Sequence, residues 1–242
     1  MLFAFKFRFL QEPNERFEPL SGIEIRACRV LRNAGSGVQF SLHAYTSKSK
    51  VVDVRFDNTL IVAPLKPCVP SAPDCYLPSR PTKPAKSYYR WGVLVEGGPT
   101  LPGGSISFTN TTVVDGPGWS LPVVWVEKAG NPDSFGVRFT NLTLNMSNDG
   151  PAIAVTAPLP TSGGVSVTGA IINRQCCVGG APFLSAKSSG ANQLGNVEVR
   201  DVTVRLNSND TQQQAAIACN ATLSTDARSS NVTVSNVTCV TE

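Results

Sequence analysis

The chain has 242 residues and a formal net charge of +4, with 16% charged and 41% hydrophobic residues. This apolar content argues against a disordered chain. The chain contains no run of 18 apolar residues, so no membrane span is predicted. A single histidine and two methionines disfavour a histidine-based metal site and a Met-rich helical module. Abundant Thr, Val, Asn and Gly indicate β structure.

Positive charge is concentrated in residues 1–90, which hold 14 Lys and Arg against 7 Asp and Glu. Residues 91–242 hold 7 against 10. A basic region favours an anionic partner. Because motifs for nucleic-acid binding are absent, we expect no nucleic-acid partner. A solvated basic surface is the alternative interpretation.

Residues 1–20 form a separate entry segment that opens with phenylalanine at every second position. This period predicts a strand. Lys6 and Arg8 interrupt the apolar stretch, which is atypical of a signal peptide. The start therefore favours a chain that is part of a longer protein.

One motif recurs seven times, with apolar residues at offsets 0, 2 and 7 and usually Asn, Asp or a small residue at offset 4. A unit of this kind buries its inner face only by stacking on its neighbours, with parallel strands about 4.8 Å apart. A β-sandwich would instead place hairpins at short intervals. The pattern predicts an all-β parallel β-helix of about seven coils over residues 21–242, with one long insertion at 64–90. The motif starts are Ile23, Val54, Ile106, Val137, Val165, Val197 and Val232.

The offset-four residue lies at a bend between two strands and is Asn in four of the seven repeats. We expect these amides to face inward and bond the backbone of adjacent coils. On that view the sequons at Asn110, Asn141 and Asn236 belong to the repeat. The better candidates for glycosylation in a secreted or cell-surface glycoprotein are Asn145, Asn209, Asn220 and Asn231.

The segments GIEIRACRVLRNAGSGVQF (22–40) and GVRFTNLTLNMSNDGPAIAV (136–155) resemble the right-handed parallel β-helix repeat of the pectin-lyase-like superfamily. The resemblance covers about residues 20–240. It implies a right-handed, single-stranded β-helix with a ligand groove along the sheet after the long loops. Members include polysaccharide lyases, glycoside hydrolases, esterases, epimerases, tail spikes and non-catalytic adhesins. The signatures of polygalacturonases, pectin methylesterases and alginate epimerases are missing, so the resemblance implies an architecture rather than one activity.

A second set of strand segments is expected to form that sheet. VLVEGG (93–98) and VWVEKAG (124–130) place Glu96 and Glu127 on neighbouring coils. Two close carboxylates repel, which raises the pKa of one of them, and a separation of about 5–5.5 Å suits a retaining glycosidase. The pair could instead bind Ca²⁺; no other cofactor is expected. The same level of the sheet is predicted to include Ser41, Thr156 and Asn220.

His43, at the end of the first of these strands, is a candidate base within two coils of the glutamates. The alternative is that His43, Glu96 and Glu127 are solvated residues at strand ends. The same alternation predicts Trp125 on the outer face, as a platform for a sugar ring.

The insertion leads directly into the strand that carries Glu96, so we expect it to overhang the sheet. Its aromatic residues would stack on sugars and its basic residues would pair with uronate or sulfate. The alternative is a surface loop pinned by a Cys68–Cys75 disulfide. The candidate substrate-binding residues of the insertion are Arg80, Lys86, Tyr88, Tyr89 and Arg90.

The sequence thus predicts a carbohydrate-active or carbohydrate-binding β-helix directed at an acidic polysaccharide, with a groove like that of a lyase or hydrolase. The alternative is a non-catalytic structural or adhesive β-helix. Cys219 and Cys239 are expected near the C-terminal end, either as small core residues or as a disulfide clasp.

Overall fold

In a computed structural model, nearly all of the regular structure is β-strand, and strands distant in sequence pair in parallel. The predicted parallel β-solenoid is confirmed. The structure describes residues 5–8, 22–31, 38–42, 52–62, 92–97, 104–114, 122–127, 135–146, 150–156, 164–174, 181–187, 196–206, 212–223 and 232–241.

Each coil follows one order: a first arm, a bend, a second arm and a third strand. The first arms are β2 (Ile23–Arg26), β5 (Val52–Asp57), β8 (Gly104–Thr109) and β11 (Phe135–Thr140). The second arms are β3 (Arg29–Leu31), β6 (Leu60–Val62), β9 (Thr112–Val114) and β12 (Thr143–Met146). Both arms are carried by the longer strands β14 (Gly164–Arg174), β16 (Val197–Leu206) and β18 (Val232–Thr241).

The third strands form a separate parallel sheet. Its first member lies in the predicted N-terminal strand and pairs with the next, Phe5 opposite Val38. A short helix, α1 (Gln212–Ala218), precedes its last member. The third strands are β1 (Phe5–Arg8), β4 (Val38–Leu42), β7 (Val93–Gly97), β10 (Val124–Glu127), β13 (Ile153–Thr156), β15 (Leu184–Lys187) and β17 (Ala221–Leu223).

The first arms stack in the register that the repeat predicts. Ile23 pairs with Val54, and Val54 pairs with Ile106. The series continues in the same way to Val197 and Val232. A slip by one residue would move every apolar side chain of an arm to the outer face, so the alternation itself specifies the pairing.

The bend residues adopt left-handed backbone conformations, with φ of 51° at Asn58, 54° at Asn141 and 70° at Gly169. Asn, Asp and Gly tolerate this conformation better than other residues. The expectation of inward amides is wrong, because the bend asparagines are exposed. Their side chains bond each other along the outside, as where Asn141 Nδ2 donates to Asn110 Oδ1 at 3.1 Å.

The backbone at the bend holds adjacent coils together in both directions. The Asn110 N–H donates to the Thr140 carbonyl of the next coil at 2.9 Å. Two residues later, the Thr112 N–H donates to the Thr59 carbonyl of the preceding coil at 2.8 Å. The left-handed bend therefore satisfies its own polar backbone groups and leaves the side chain of the bend residue outside.

The core is filled by the inward residues of all three strands. Phe56, Phe108 and Phe139 occupy one position in three successive coils and stack with ring centroids 4.9 Å and 5.0 Å apart. Their interplanar angles are 11° and 9°. A column of stacked rings is what identical register in parallel coils produces when the inward residue is aromatic.

A disulfide joins Cys219, just after α1, to Cys239 of β18, with the Cα atoms 6.1 Å apart. Of the two predicted roles for this pair, the clasp is the one observed. The Cys68–Cys75 pair lies outside the described residues. Within the described part of the chain, no helix is long and apolar enough to cross a membrane.

Candidate functional site

The sheet of third strands aligns most of the residues predicted to share one level. Glu96 pairs with Glu127 on the next coil, and Glu127 pairs with Thr156. Ser41 pairs with Glu96 on the other side. Neighbouring parallel strands lie about 4.8 Å apart, so the backbones of the two glutamates are separated by one coil step, as predicted.

Two further positions extend this level along the solenoid. Arg8 pairs with Ser41, and Lys187 pairs with Thr156. The sequence did not predict either residue at this level of the sheet, although the alternation in FLSAK (183–187) could have indicated Lys187. We call these six positions the polar row: Arg8, Ser41, Glu96, Glu127, Thr156 and Lys187.

Asn220 does not belong to the polar row, so its predicted alignment is wrong. The segment before Asn220, where Ile217 and Cys219 alternate as in a strand, forms helix α1, and the sheet resumes at Ala221, which pairs with Leu184. Asn220 lies between the two, and its side-chain oxygen accepts a hydrogen bond from the Ala221 N–H at 2.8 Å. The run QQQAAIA has high helix propensity, which outweighs the short apolar alternation.

A second row lies on the same outer face, two residues earlier in each strand. Leu94 is 1% exposed, although its neighbours Val93 and Val95 already fill the core. Ala154 and Ser185, at the same level, are also buried. This row, which we call the covered row (Leu94, Trp125, Ala154 and Ser185), is therefore shielded from solvent on the side away from the core.

Trp125 lies at the predicted outward position, between the core residues Val124 and Val126. Its side chain is partly buried, and its indole N–H donates to Thr156 Oγ1 of the next coil at 3.2 Å. The ring is thus anchored across a coil step. Because Thr156 belongs to the polar row, this bond connects the two rows directly.

Several candidates lie outside the described residues: His43 and the five residues of the insertion, Arg80, Lys86, Tyr88, Tyr89 and Arg90. Their placement over the sheet stays a prediction. For Glu96 and Glu127 the structure gives the backbone and its pairing. The candidate site is therefore defined by the backbone pairing that aligns the polar row.

The outer face of the first arms carries charged pairs that sequence reasoning missed. In each pair the partners are two residues apart on one strand, and the arginine is exposed while the carboxylate is exposed or half-buried. Each such pair contributes about 0–1 kcal/mol to stability. Each of these carboxylates faces an arginine on its own strand, whereas Glu96 and Glu127 lie opposite each other on neighbouring coils. The pairs are Glu24–Arg26 at 2.6 Å, Asp53–Arg55 at 3.4 Å and Glu198–Arg200 at 3.8 Å.

Arg174 is a buried cation with a structural role. It pairs in register with the core residue Met146, and its Nη2 donates to the carbonyls of Gly150 and Pro182 at 3.4 and 3.1 Å. These bonds join segments of two coils. Among the described residues, no group of three or more His, Cys, Asp or Glu side chains could hold a metal ion.

Comparison with known proteins found no matching family model, no matching curated protein and no matching solved structure. The fold class therefore follows from the strand pairing alone, and the pectin-lyase-like resemblance remains a prediction from residues 22–40 and 136–155.

Proposed function

We propose that the chain is a carbohydrate-binding β-solenoid that holds an extended acidic polysaccharide along the polar row. The observation that supports this is the register of Glu96 opposite Glu127, flanked by Ser41 and Thr156. A row perpendicular to the strands runs along the solenoid axis, with one position about every 4.8 Å. Such a site is linear, and a linear polymer can contact several of its positions at once.

Charge along the row favours an acidic ligand at its two ends. Arg8 and Lys187 occupy opposite ends of the row, and cationic side chains bind uronate and sulfate groups through charge-assisted hydrogen bonds. The basic residues of the insertion would add to this attraction. The central glutamates would bind sugar hydroxyls, or act as an acid–base pair of a lyase or hydrolase.

Binding and turnover can be separated with two variants and one control. Purified protein is titrated with oligogalacturonate, oligoalginate, a sulfated glycan and a neutral glucan, and products are followed by chromatography. Glu96→Gln and Glu127→Gln remove the charges of the central pair. Glu198→Gln is the matched control, since Glu198 is exposed on the first-arm face.

If the pair is catalytic, either glutamine variant lowers turnover by about 10²–10⁴-fold, while the control retains it. If the row only binds, the variants change affinity and no glycan is cleaved. Absence of both binding and turnover with all four glycans would refute the proposal.

A non-catalytic structural or adhesive role is the second candidate. It is supported by the covered row, in which Leu94 is buried on the outer face and Trp125 is anchored to Thr156. An aromatic side chain held in this way stabilises the coils. This role predicts unchanged glycan binding for Trp125→Phe, with a lower stability measured by urea denaturation.

A secreted or cell-surface location is part of the proposal. Asn110, Asn141, Asn220 and Asn236 begin sequons and are exposed. Asn145 is partly buried and accepts a 2.7 Å hydrogen bond from Asn173, which disfavours its modification. Peptide mapping of protein from a secretory host, with and without enzymatic deglycosylation, tests this; unmodified peptides throughout would contradict it.

A further inference from the structure

The hydrogen bond between Trp125 and Thr156 can run in only one direction. Trp125 Nε1 and Thr156 Oγ1 are 3.2 Å apart. An indole nitrogen only donates, whereas a threonine hydroxyl has one proton to donate and two lone pairs that accept. Trp125 is therefore the donor, and it occupies one lone pair of Thr156. The proton of the Thr156 hydroxyl is left to be donated to another group.

Trp125 also restricts where that proton points. The O–H bond and the lone pairs leave the oxygen in different directions, so the proton lies away from the indole of the preceding coil. Within the part of the chain whose side chains the structure describes, no group accepts it. Thr156 is only partly buried, so a ligand on the outer face can accept this hydrogen bond.

The two neighbours of Thr156 in the polar row carry opposite charges. Glu127 pairs with it from the preceding coil, and Lys187 pairs with it from the following coil. Lys187 is exposed, and an ammonium group offers three donors but no acceptor. On this side of Thr156 the row therefore presents a hydroxyl proton and a cation, on backbones about 4.8 Å apart.

We propose that Thr156 and Lys187 form an anion subsite, and that Trp125 is the positioning residue that fixes Thr156 as a donor. The group bound there is a carboxylate or sulfate of the glycan, so this inference rests on the proposed function. Such a group has several acceptor oxygens and can bind both donors at once. Glu127 repels negative charge, which places the acidic group over Thr156 and Lys187 rather than over the central glutamates.

The packing beneath the subsite holds its parts in place before a ligand binds. Thr156 and Lys187 directly follow the core residues Val155 and Ala186, which pair with each other and are essentially fully buried. The partly buried Trp125 is tied to Thr156 across one coil step. A donor that is already oriented loses less conformational entropy when the ligand binds. The indole bond therefore favours binding of an anion at Thr156.

This role of Trp125 differs from that of a sugar platform and from that of a structural anchor. A platform acts through the face of the ring, and an anchor acts through packing. The subsite instead requires the indole N–H, because this group sets the direction of the Thr156 hydroxyl. Trp125→Phe keeps an aromatic ring and removes the N–H, so it separates this role from the other two.

The experiment follows the indole N–H resonances of the whole ¹⁵N-labelled chain by NMR. The chain has 3 Trp, and the indole resonance that Trp125→Phe removes is that of Trp125. The probes are oligogalacturonate, its methyl ester and inorganic sulfate. We expect oligogalacturonate and sulfate to shift the Trp125 resonance, because the anion accepts from the hydroxyl to which the indole donates. The uncharged methyl ester should shift it much less.

Variants test each part of the subsite by calorimetry with oligogalacturonate. Thr156→Val and Lys187→Gln should each bind at least about tenfold more weakly, as expected for the loss of a hydrogen bond to a charged group. Thr156→Ser should recover most of the affinity, and Trp125→Phe should lose about two- to tenfold through poorer orientation of the donor. Arg138→Gln is the matched control, since Arg138 is exposed on the first-arm face. Circular dichroism verifies that all variants are folded.

Three results would overturn the subsite. They are a Trp125 resonance that neither oligogalacturonate nor sulfate shifts, wild-type affinity in Thr156→Val, and equal losses in Lys187→Gln and Arg138→Gln. The proposed function fails separately from the subsite. If oligogalacturonate binds without any shift at Trp125, the polysaccharide proposal stands and the subsite is refuted. If sulfate shifts the Trp125 resonance and no glycan binds, the subsite is supported and the polysaccharide proposal is refuted.

Discussion

The phenylalanine column is the feature whose contribution to stability can be tested most sharply. Phe108 is 1% exposed and stacks on Phe56 at 4.9 Å and on Phe139 at 5.0 Å. Removing a buried phenylalanine ring costs about 3–5 kcal/mol of unfolding free energy. Each stacked pair adds about 0.5–1.5 kcal/mol beyond burial, so Phe108→Ala loses two such pairs as well as its packing.

Phe183→Ala is the matched control, because Phe183 is equally buried but takes part in no ring stack among the described residues. We expect Phe108→Ala to be more destabilising than Phe183→Ala by about 1–3 kcal/mol, the sum of two stacking contributions. The measurement is urea unfolding followed by circular dichroism, with the slope of free energy against urea compared between variants. Equal destabilisation by the two substitutions would refute the argument that the column stabilises the coils through stacking.

Two further predictions concern the bends and the C-terminal clasp. Gly169→Ala should lower the free energy of unfolding by about 1–2 kcal/mol, since Gly169 has φ of 70° and an added Cβ would lie 2.8 Å from Asn141 Oδ1. Thermal denaturation is the assay, and Ser166→Ala, an outward change on the same strand, is the control. Cys239→Ser opens a link between residues 20 apart and should cost about 3 kcal/mol of unfolding free energy, because the unfolded chain gains the loop-closure entropy. Unchanged amide hydrogen exchange in β17 and β18 would contradict a stabilising clasp.

The register of the solenoid could be predicted from the sequence because the alternation of apolar residues leaves little choice. Ile23, Val54 and Ile106 have to face the core together, and a slip by one residue would expose all of them. The same constraint places Glu96 and Glu127 at paired positions on neighbouring coils, as predicted. Residues on the outer face are thus positioned by the core residues between them.

The direction of the side chain at the bend was harder to predict, because two different physical requirements favour the same residue type. Asparagine suits an inward amide ladder, and it also tolerates a left-handed backbone. Asn58 and Asn141 follow the second demand, with positive φ and exposed side chains. Gly169 and Asp201 at equivalent bends point the same way, since glycine has no amide to offer a ladder.

Local composition and long-range contacts account for the other differences between the sequence-based predictions and the structure. The Ala-rich run before Cys219 forms α1, although Ile217 and Cys219 alternate as a strand would. Arg174 occupies a position that is apolar in neighbouring coils, opposite Met146 in the preceding coil and one step from Leu206. From the sequence, a single arginine in an apolar series predicts an exposed side chain. In the structure it is buried, because the fold brings the carbonyls of Gly150 and Pro182 within hydrogen-bonding distance.

Stacking in register gives this chain features that are linear rather than compact. Each coil adds one position to every row, so the polar row, the covered row and the Asn contacts at the bends all run along one axis. A linear row matches a polymer better than a small ligand, which would contact only one or two coils. The polysaccharide proposal thus follows from one physical property of the fold, the identical register repeated at every coil step.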